Sequence, residues 1–229
     1  MTDVPVRPAA TVILVRNAET RPAVLMGQRG AGAAFMASKT VFPGGAVDPG
    51  DRHVTLARPL AGATAEALSA ESDVPATALA TAAIRELWEE TGQVLGRPGT
   101  WADAPSDWDG FAATGHQPDA SALAFVFRAI TPPGRPRRFD ARFFIASAEA
   151  LGGDPDDFSA ASDELSHLRW ITLTDTRQAD LPFITTVVLA EIAARLPLLG
   201  QPDTVPFFQT TEEAALFRRL GASTPDHHT

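Results

Sequence analysis

The sequence predicts an α+β fold built on a mixed β-sheet. Short runs rich in β-branched residues interleave with segments of helical periodicity, but without the regular strand, helix, strand alternation of a doubly wound parallel sheet. The chain has 229 residues, of which 45% are hydrophobic, so it can fill a sizeable core. No stretch has the composition of a linker, and one domain is therefore expected over residues 1–229.

The first half of the chain contains two predicted strands and one predicted helix. Residues 9–16 and 23–29 are short β-branched-rich runs separated by a polar turn, which is typical of paired strands. The proline and glycines of residues 40–51 predict a tight, irregular turn. Residues 52–75 are alanine-rich without a repeat and are expected to be helical or partly mobile. Residues 76–91 carry an apolar stripe at helical spacing, which predicts a helix.

The second half adds three predicted strands and two predicted helices. Residues 100–119 have a mixed pattern that predicts no single element. The predicted strands are 122–131, 139–146 and 168–173, and the predicted helices are 181–196 and 211–220. The end of the chain, residues 221–229, is expected to be a disordered tail.

Composition excludes several kinds of protein. The formal net charge of -9 argues against a nucleic-acid partner, although it is compatible with a small phosphorylated ligand. The absence of cysteine excludes disulfides and thiolate metal sites, so a metal would need oxygen or imidazole ligands. No apolar run is long enough to cross a bilayer, and the N-terminus lacks the pattern of a signal peptide. A cytoplasmic protein without a membrane partner is expected, and the sequence predicts no oligomeric state.

The segment RELWEETG gathers three glutamates at the end of the predicted helix. Glu86 lies three and four residues before Glu89 and Glu90, so the carboxylates share one side and repel by a few tenths of a kcal/mol per pair. The last two also lie at the helix C-terminus, where anions are disfavoured by roughly 0.3 to 1 kcal/mol. A hard divalent cation, Mg²⁺ or Mn²⁺, would offset this cost.

A solvated helix face is the ordinary interpretation of adjacent glutamates alone. The preceding Arg85, the glycine after the helix and the upstream Pro-Gly-Gly turn favour a metal site instead. Glu89 and Glu90 are the first predicted ligands and Glu86 is a third. The carbonyl of Gly45 could add a backbone ligand delivered by the tight turn.

These residues resemble the Nudix box, G-x5-E-x7-R-E-U-x-E-E-x-G-U, in which U is a bulky aliphatic residue. Asp51 stands where the box has its first glutamate, and Gln93 replaces the final aliphatic residue. Residues 52–84 number 33 where the motif allows 7, which is an insertion of 26. The residues that match are Gly45, Arg85, Glu86, Leu87, Glu89, Glu90 and Gly92.

The interrupted box is similar to that of the Nudix branch that includes peroxisomal coenzyme A diphosphatases. The resemblance extends over most of the chain, from about residue 9 to residue 196. It implies a Nudix-type mixed sheet sandwiched between helices, with a helical insertion inside the box. The further matching segments are Arg29, Phe35-Met36, residues 41–45, residues 137–140 and 142–144, Glu164-Leu165, Arg169-Trp170 and residues 181–183.

The resemblance implies metal-dependent hydrolysis of a nucleoside diphosphate linked to another moiety. The favoured substrate is coenzyme A or an acyl derivative, giving 4'-phosphopantetheine and adenosine 3',5'-bisphosphate. ADP-ribose, a dinucleotide or a nucleotide sugar is the enzymatic alternative. A Nudix-fold binding module without catalysis is the alternative of another class, motivated by the split box together with Asp51 and Gln93.

The resemblance and the residue spacing together suggest roles for individual residues. Glu86 is the first candidate for the general base and Glu164 the second. Arg85 is placed to orient Glu89. Asp51 is expected either to contact metal or water or to be structural. Basic residues that could contact phosphates, with surface solubility as the alternative, are Arg29, Lys39, Arg137, Arg138 and Arg142.

Overall fold

The structure is a computed structural model that describes residues 4–32, 36–210 and 215–221. Within these ranges the strands alternate with helices and short 3-10 turns in no regular period. The strands are β1 (Val6–Arg16), β2 (Ala23–Arg29), β3 (Thr40–Val41), β4 (Gly44–Ala46), β5 (Gly96–Pro98), β6 (His116–Pro118), β7 (Ala124–Ile130), β8 (Arg138–Ser147), β9 (Leu165–Thr172), β10 (Val205–Thr210) and β11 (Ala215–Leu220). The α-helices are α1 (Gly62–Ser69), α2 (Ala76–Thr91), α3 (Asp109–Ala112) and α4 (Phe183–Arg195).

One large mixed sheet organises the described residues. Seven strands follow the order β11, β10, β7, β8, β1, β2, β3, while β4 pairs with β1 and β9 pairs with β2. Strand β8 runs parallel to β1 and β10 runs parallel to β7, whereas the other pairs are antiparallel. The α+β fold class predicted from the sequence is confirmed.

The two faces of the sheet are covered by different helices. Alternate residues of β1 point to opposite faces. Val12 packs with Leu79 and Leu87 of α2 on one face. Ile13 packs with Val188 of α4 on the other. The sheet is therefore sandwiched between helices, and α2, which carries the three glutamates, lies over the centre of one face.

The sequence located most of the longer elements, gave one of them the wrong type, and did not predict β5, β6, β10 or α3. Helix α2 has the predicted bounds, and the predicted strands and the helix at 181–196 lie within three residues of β1, β2, β7, β8, β9 and α4. The helix predicted at 211–220 is wrong, because Ala215–Leu220 is strand β11, paired antiparallel with β10. Residues 211–214 of that prediction lie outside the described residues, as do Phe35 and residues 222–229 of the predicted tail.

The segment between the two halves of the box is partly helical and fastened to the sheet. It holds α1, a bend, and the first residues of α2. At the bend, the backbone carbonyl of Glu71 accepts a hydrogen bond from Arg128 of β7 at 2.9 Å. The hydroxyl of Ser72 accepts one from Arg142 of β8 at 3.0 Å. Both arginines are buried and share the carboxylate of Asp140.

No helix among the residues that the structure describes is both long and apolar enough to cross a membrane.

Candidate active site

Helix α2 positions its glutamates through its buried apolar side. Leu79, Ala83 and Leu87 are inaccessible to solvent against the sheet, so the neighbouring side of the helix faces the β4 turn. The helix ends at Gly92, whose left-handed φ of 71° closes the last turn with a 2.7 Å hydrogen bond to the carbonyl of Trp88. The acidic residues are thereby held in the last two turns of a helix with a defined end.

Two consecutive glycines bring the backbone of β4 against these glutamates. The amide of Gly44 donates a 2.7 Å hydrogen bond to Oε2 of Glu90. A Cβ atom at Gly45 would lie 2.4 Å from the carboxylate of Glu86, which no side chain could tolerate without displacing it. Gly45 is held in place by its pairing with Ala10 of β1. The glycines therefore allow the close approach of β4 to α2 on which the cluster depends.

Arg85 ties the acidic residues together. Its guanidinium has five N–H donors. Nε and Nη2 bind the two oxygens of Asp51 at 3.0 and 3.1 Å. Nη1 donates to Glu86 at 2.9 Å and to Glu89 at 3.0 Å, and Nη2 also donates to the carbonyl of Ala46 at 2.9 Å. All five donors are used, so the guanidinium fixes two of the helix carboxylates relative to the β4 turn.

Burial within the cluster raises the pKa of all three glutamates. Burial raises the pKa of Glu86 to about 7, against the opposing effect of Arg85. Burial raises the pKa of Glu90 to about 8, although its hydrogen bond from Gly44 opposes the shift. Burial also raises the pKa of Glu89. Glu86 and Glu90 therefore hold protons near neutral pH that a cation could displace.

Glu164 and Arg29 approach the cluster from the adjacent strands. The negative charge of Glu164, an exposed residue just before β9, contributes to the raised pKa of Glu86, Glu89 and Glu90, so it lies within electrostatic range of all three. Arg29 acts on Glu90 in the opposite direction, lowering its pKa. The two come together because Arg29 at the end of β2 pairs with Leu165 at the start of β9.

The other predicted phosphate contacts make their interactions elsewhere. Lys39 forms an ion pair with Asp180 at 2.5 Å. Arg138 donates to the carbonyls of Thr131 and Val4, and Arg137 is exposed. Arg142 is 2% exposed and bound to Asp140, so it faces no ligand in this arrangement. Of the five predicted basic residues, the structure brings Arg29 to the glutamates.

Asp51 lies beneath the cluster and turns away from the open side. It is 3% exposed, and besides Arg85 it accepts a 2.8 Å hydrogen bond from the amide of Asp48. Both carboxylate oxygens are therefore occupied. This placement agrees with the structural alternative in which Asp51 orients Arg85.

A metal ion fits the remaining donors of the site. Oε1 of Glu90 is buried without a hydrogen-bond partner, which is costly for a carboxylate unless a cation binds it. The described residues contain no group of three acidic or histidine side chains already close enough to form a coordination shell. The donors are nevertheless all oxygen, as Mg²⁺ and Mn²⁺ prefer. By the type of their donor atoms, the residues present therefore suit a hard cation.

Two backbone groups of the site were not predicted from the sequence. The amide of Gly44 holds Glu90, and the carbonyl of Ala46 holds Arg85. The repeated glycine in Pro43-Gly44-Gly45 was the available signal for the first. Nothing in the sequence marks the second, because any residue carries the same carbonyl.

Comparison with known proteins finds a related sequence and related structures. No family model matches the chain. The Caenorhabditis elegans protein named "Putative nudix hydrolase 7" is 31% identical over 178 residues, which are 72% of this chain and 51% of that protein. The chain thus spans about half the length of this curated relative.

A solved structure shares the fold over nearly its whole length. It is a NUDIX hydrolase from Alicyclobacillus acidocaldarius, with a TM-score of 0.61 and 29% sequence identity, and the match covers 84% of this chain and 93% of that chain. Its name agrees with that of the worm relative. Because both similarities accompany the arginine, glutamates and glycines that converge between β4 and α2, the chain belongs to the Nudix hydrolase superfamily.

Proposed function

We propose that this chain hydrolyses the diphosphate bond of a nucleoside diphosphate linked to a second moiety. One observation supports this most directly: Glu86 and Glu90 lie against the Gly44-Gly45 turn, and Arg85 holds Glu89 beside Glu86. Such a concentration of half-buried carboxylates destabilises a protein unless it binds cations. The same donor set suits a substrate whose phosphates need their charge neutralised.

Mg²⁺ or Mn²⁺ would be held by Glu86, Glu89 and Glu90, with the Gly45 carbonyl as a backbone ligand. When bound, the ion supplies charge neutralisation for the diphosphate and activation of water. Arg85 contributes by holding Glu86 and Glu89 in one orientation. We assign Asp51 to the support of Arg85 rather than to the metal, because both of its oxygens are already bound.

Arg29 is proposed to bind a substrate phosphate. Its Nε atom is buried and has no hydrogen-bond partner in the described residues. Its charge acts on Glu90, so the guanidinium lies at the edge of the acidic cluster. An arginine in this position can bind two oxygens of one phosphate and thereby orient the diphosphate.

The general base is proposed to be Glu86, with Glu164 as the second candidate. Glu86 lies against the Gly45 turn beside the carboxylates that would hold the ion, so it could accept a proton from a water bound there. Glu164 is exposed within electrostatic range of the same three carboxylates and could receive that proton instead. Glu86→Gln and Glu164→Gln separate them, since loss of the base lowers kcat by roughly 10² to 10⁴. A normal rate in either variant removes that residue from consideration.

Coenzyme A or an acyl derivative is the substrate we favour. The support is the resemblance of the interrupted box and its flanking segments to the coenzyme A diphosphatase branch. ADP-ribose, a dinucleotide or a nucleotide sugar would use the same residues for the same bond cleavage. The split box and the departures at Asp51 and Gln93 support the remaining proposal, a Nudix-fold ligand-binding module without catalysis.

Product analysis distinguishes these proposals. The purified protein is incubated with coenzyme A, ADP-ribose or NADH in Mg²⁺, Mn²⁺ or chelator, and products are separated by chromatography. Adenosine 3',5'-bisphosphate should appear from coenzyme A with metal, should be absent with chelator, and should be lost in Glu89→Gln. Glu66→Gln, an exposed glutamate of α1, is the matched control and should retain the rate.

The other outcomes are equally informative. Turnover only of ADP-ribose or NADH keeps the chemistry and rejects coenzyme A. No turnover of any of the three compounds points to an untested substrate, such as a nucleotide sugar, or to the binding module.

A further inference from the structure

A basic groove lies at the opposite end of the β2 and β9 pair from the glutamates. Its cavity volume is about 610 Å³, within the range of small-molecule sites. The side chains that define its chemistry are Arg16, Arg21, Arg169, Trp170 and Asp175. Three arginines against one carboxylate give the groove a net positive charge in a chain whose formal net charge is -9.

The groove is separate from the candidate active site. At the active-site end, Arg29 pairs with Leu165, whereas at the groove end Ala23 pairs with Thr172. Arg29 lies six residues after Ala23 in β2, which corresponds to about 20 Å along the strand. A ligand in the groove would therefore contact arginines that do not touch the acidic cluster.

One wall of the groove is rigid. The guanidinium of Arg16 lies over the Trp170 ring, 4.7 Å from its centroid, and pairs with Asp156 at 2.8 Å. The indole N–H of Trp170 donates to the carbonyl of Pro155 at 3.0 Å. The side chains of Arg16 and Trp170 are thus both held in place before any ligand binds, which lowers the entropy cost of binding against them.

The other two arginines are free to bind. In the part of the chain that the structure describes, neither Arg21 nor Arg169 forms an ion pair or a side-chain hydrogen bond, and both are exposed. The one carboxylate of the groove, Asp175, already accepts a 2.6 Å hydrogen bond from Thr172. Two unpaired guanidiniums around a cavity are suited to bidentate recognition of phosphate.

We propose that this groove is a second binding site for a phosphate-bearing small molecule. Arg21 and Arg169 would bind the phosphate oxygens, and the Arg16 and Trp170 stack would form the wall beside them. The site needs no metal, because its own charge is positive. This proposal does not depend on the proposed hydrolase activity, since it concerns different residues.

Indole NMR resonances provide a direct test, because the chain has four tryptophans and only Trp170 lines the groove. The protein is titrated with inorganic phosphate, inorganic pyrophosphate or AMP in chelator, at constant ionic strength so that screening is unchanged. Trp170→Phe assigns the resonance by removing it. The Trp170 signal should shift saturably with a Kd below about 1 mM for at least one ligand, while Trp88, Trp101 and Trp108 stay in place.

Charge removal then tests which residues bind. Arg21→Ala and Arg169→Ala should each weaken binding by about tenfold, since each removes a charge-assisted contact. Arg97→Ala, an exposed arginine of β5 outside the groove, is the matched control and should bind as the unsubstituted protein does. Unchanged signals from the other three tryptophans show that a variant is folded.

The proposal is overturned by any of three results. The Trp170 shift could remain linear up to about 10 mM of every ligand, which indicates no specific site. All four indole signals could shift together, which indicates a general effect. Arg21→Ala and Arg169→Ala could bind as tightly as the Arg97→Ala control. The ligand that binds most tightly distinguishes a simple phosphate site from one that also accepts a nucleoside.

Discussion

Arg85 should be indispensable to the stability of the site because it is buried among carboxylates that have no comparable partner. Its side chain is 9% exposed and that of Asp51 is 2% exposed. Burial alone would lower the pKa of the Arg85 guanidinium, but the hydrogen bond to Asp51 and the neighbouring glutamates raise it, so the group is permanently charged. Replacement by alanine leaves Asp51 buried without a counter-ion.

The size of the effect follows from the hydrogen bonds that are lost. Removing one partner of a buried ion pair costs about 3 to 5 kcal/mol. Arg85→Ala should therefore lower the free energy of unfolding by that amount. Arg85→Lys keeps the charge but can supply three donors where five are used, so a loss of about 2 to 3 kcal/mol is expected. In a double variant with Asp51→Leu and Arg85→Met, the loss in free energy of unfolding should be smaller than the sum of the losses in the two single variants.

Urea unfolding at pH 7 in chelator measures these differences without a contribution from metal binding. Arg97→Ala removes an exposed arginine and should change the free energy of unfolding by less than about 0.5 kcal/mol. The reasoning is refuted if Arg85→Ala is destabilised by less than about 1 kcal/mol, or if Arg85→Lys is as stable as the unsubstituted protein.

Three further predictions concern the same cluster and the segment beside it. In chelator, the free energy of unfolding should fall by on the order of 1 kcal/mol per pH unit between about pH 5 and 8. The reason is that the folded state raises the carboxyl pKa of Glu86 and Glu90, and so binds protons that the unfolded state releases. Urea unfolding across that range should show a weaker dependence of the free energy of unfolding on pH in Glu90→Gln. Gly45→Ala should reduce hydrolysis at least tenfold, since the new methyl group would push the Glu86 carboxylate out of the position in which Arg85 holds it, whereas Gly50→Ala meets no atom and should match the unsubstituted protein in rate. Asp140→Asn should destabilise by about 3 kcal/mol in urea, because two buried arginines would share a neutral amide, and a loss below about 1 kcal/mol would contradict the role assigned to this ion cluster.

Helix α2 shows why part of this site was predictable from sequence. Its period, its terminal glycine and the spacing of its glutamates are local features, and the structure gives the helix the predicted bounds. The Gly-Gly turn likewise carried a local signal. Gly45 and Glu86 have 40 residues between them, and the resemblance to the Nudix box is what joined them as parts of one motif.

Long-range contacts explain what the sequence did not predict. Ala215–Leu220 has leucines and arginines that suit a helix, but pairing with β10 makes it a strand. Arg142 resembled a phosphate ligand, yet tertiary structure places it against Asp140 beneath the Ser72 bend. Strand β10 is held in the sheet by its parallel pairing with the distant β7, and Ser72 lies 70 residues from Arg142, so neither outcome could be predicted from a local pattern.

The insertion illustrates a similar point about function. Its alanine-rich composition is compatible with a lid, a dimer contact or a tolerated excursion. In the structure, the bend after α1 is bound by Arg128 and Arg142, and Glu71 also pairs with Arg218 of β11 at 2.5 Å. These contacts favour a segment fastened to the sheet over one that moves freely.

Calorimetric titration of the metal-free protein with Mn²⁺ tests the central claim most directly. The account predicts saturable binding with release of protons near pH 6.5, visible as a dependence of the measured heat on buffer, because Glu86 and Glu90 must lose protons to bind the ion. Glu89→Gln and Glu90→Gln should weaken binding strongly, and Glu66→Gln should not. Binding of equal strength in all of these variants, or heats that do not depend on buffer, would contradict the assignment of this cluster as the metal site.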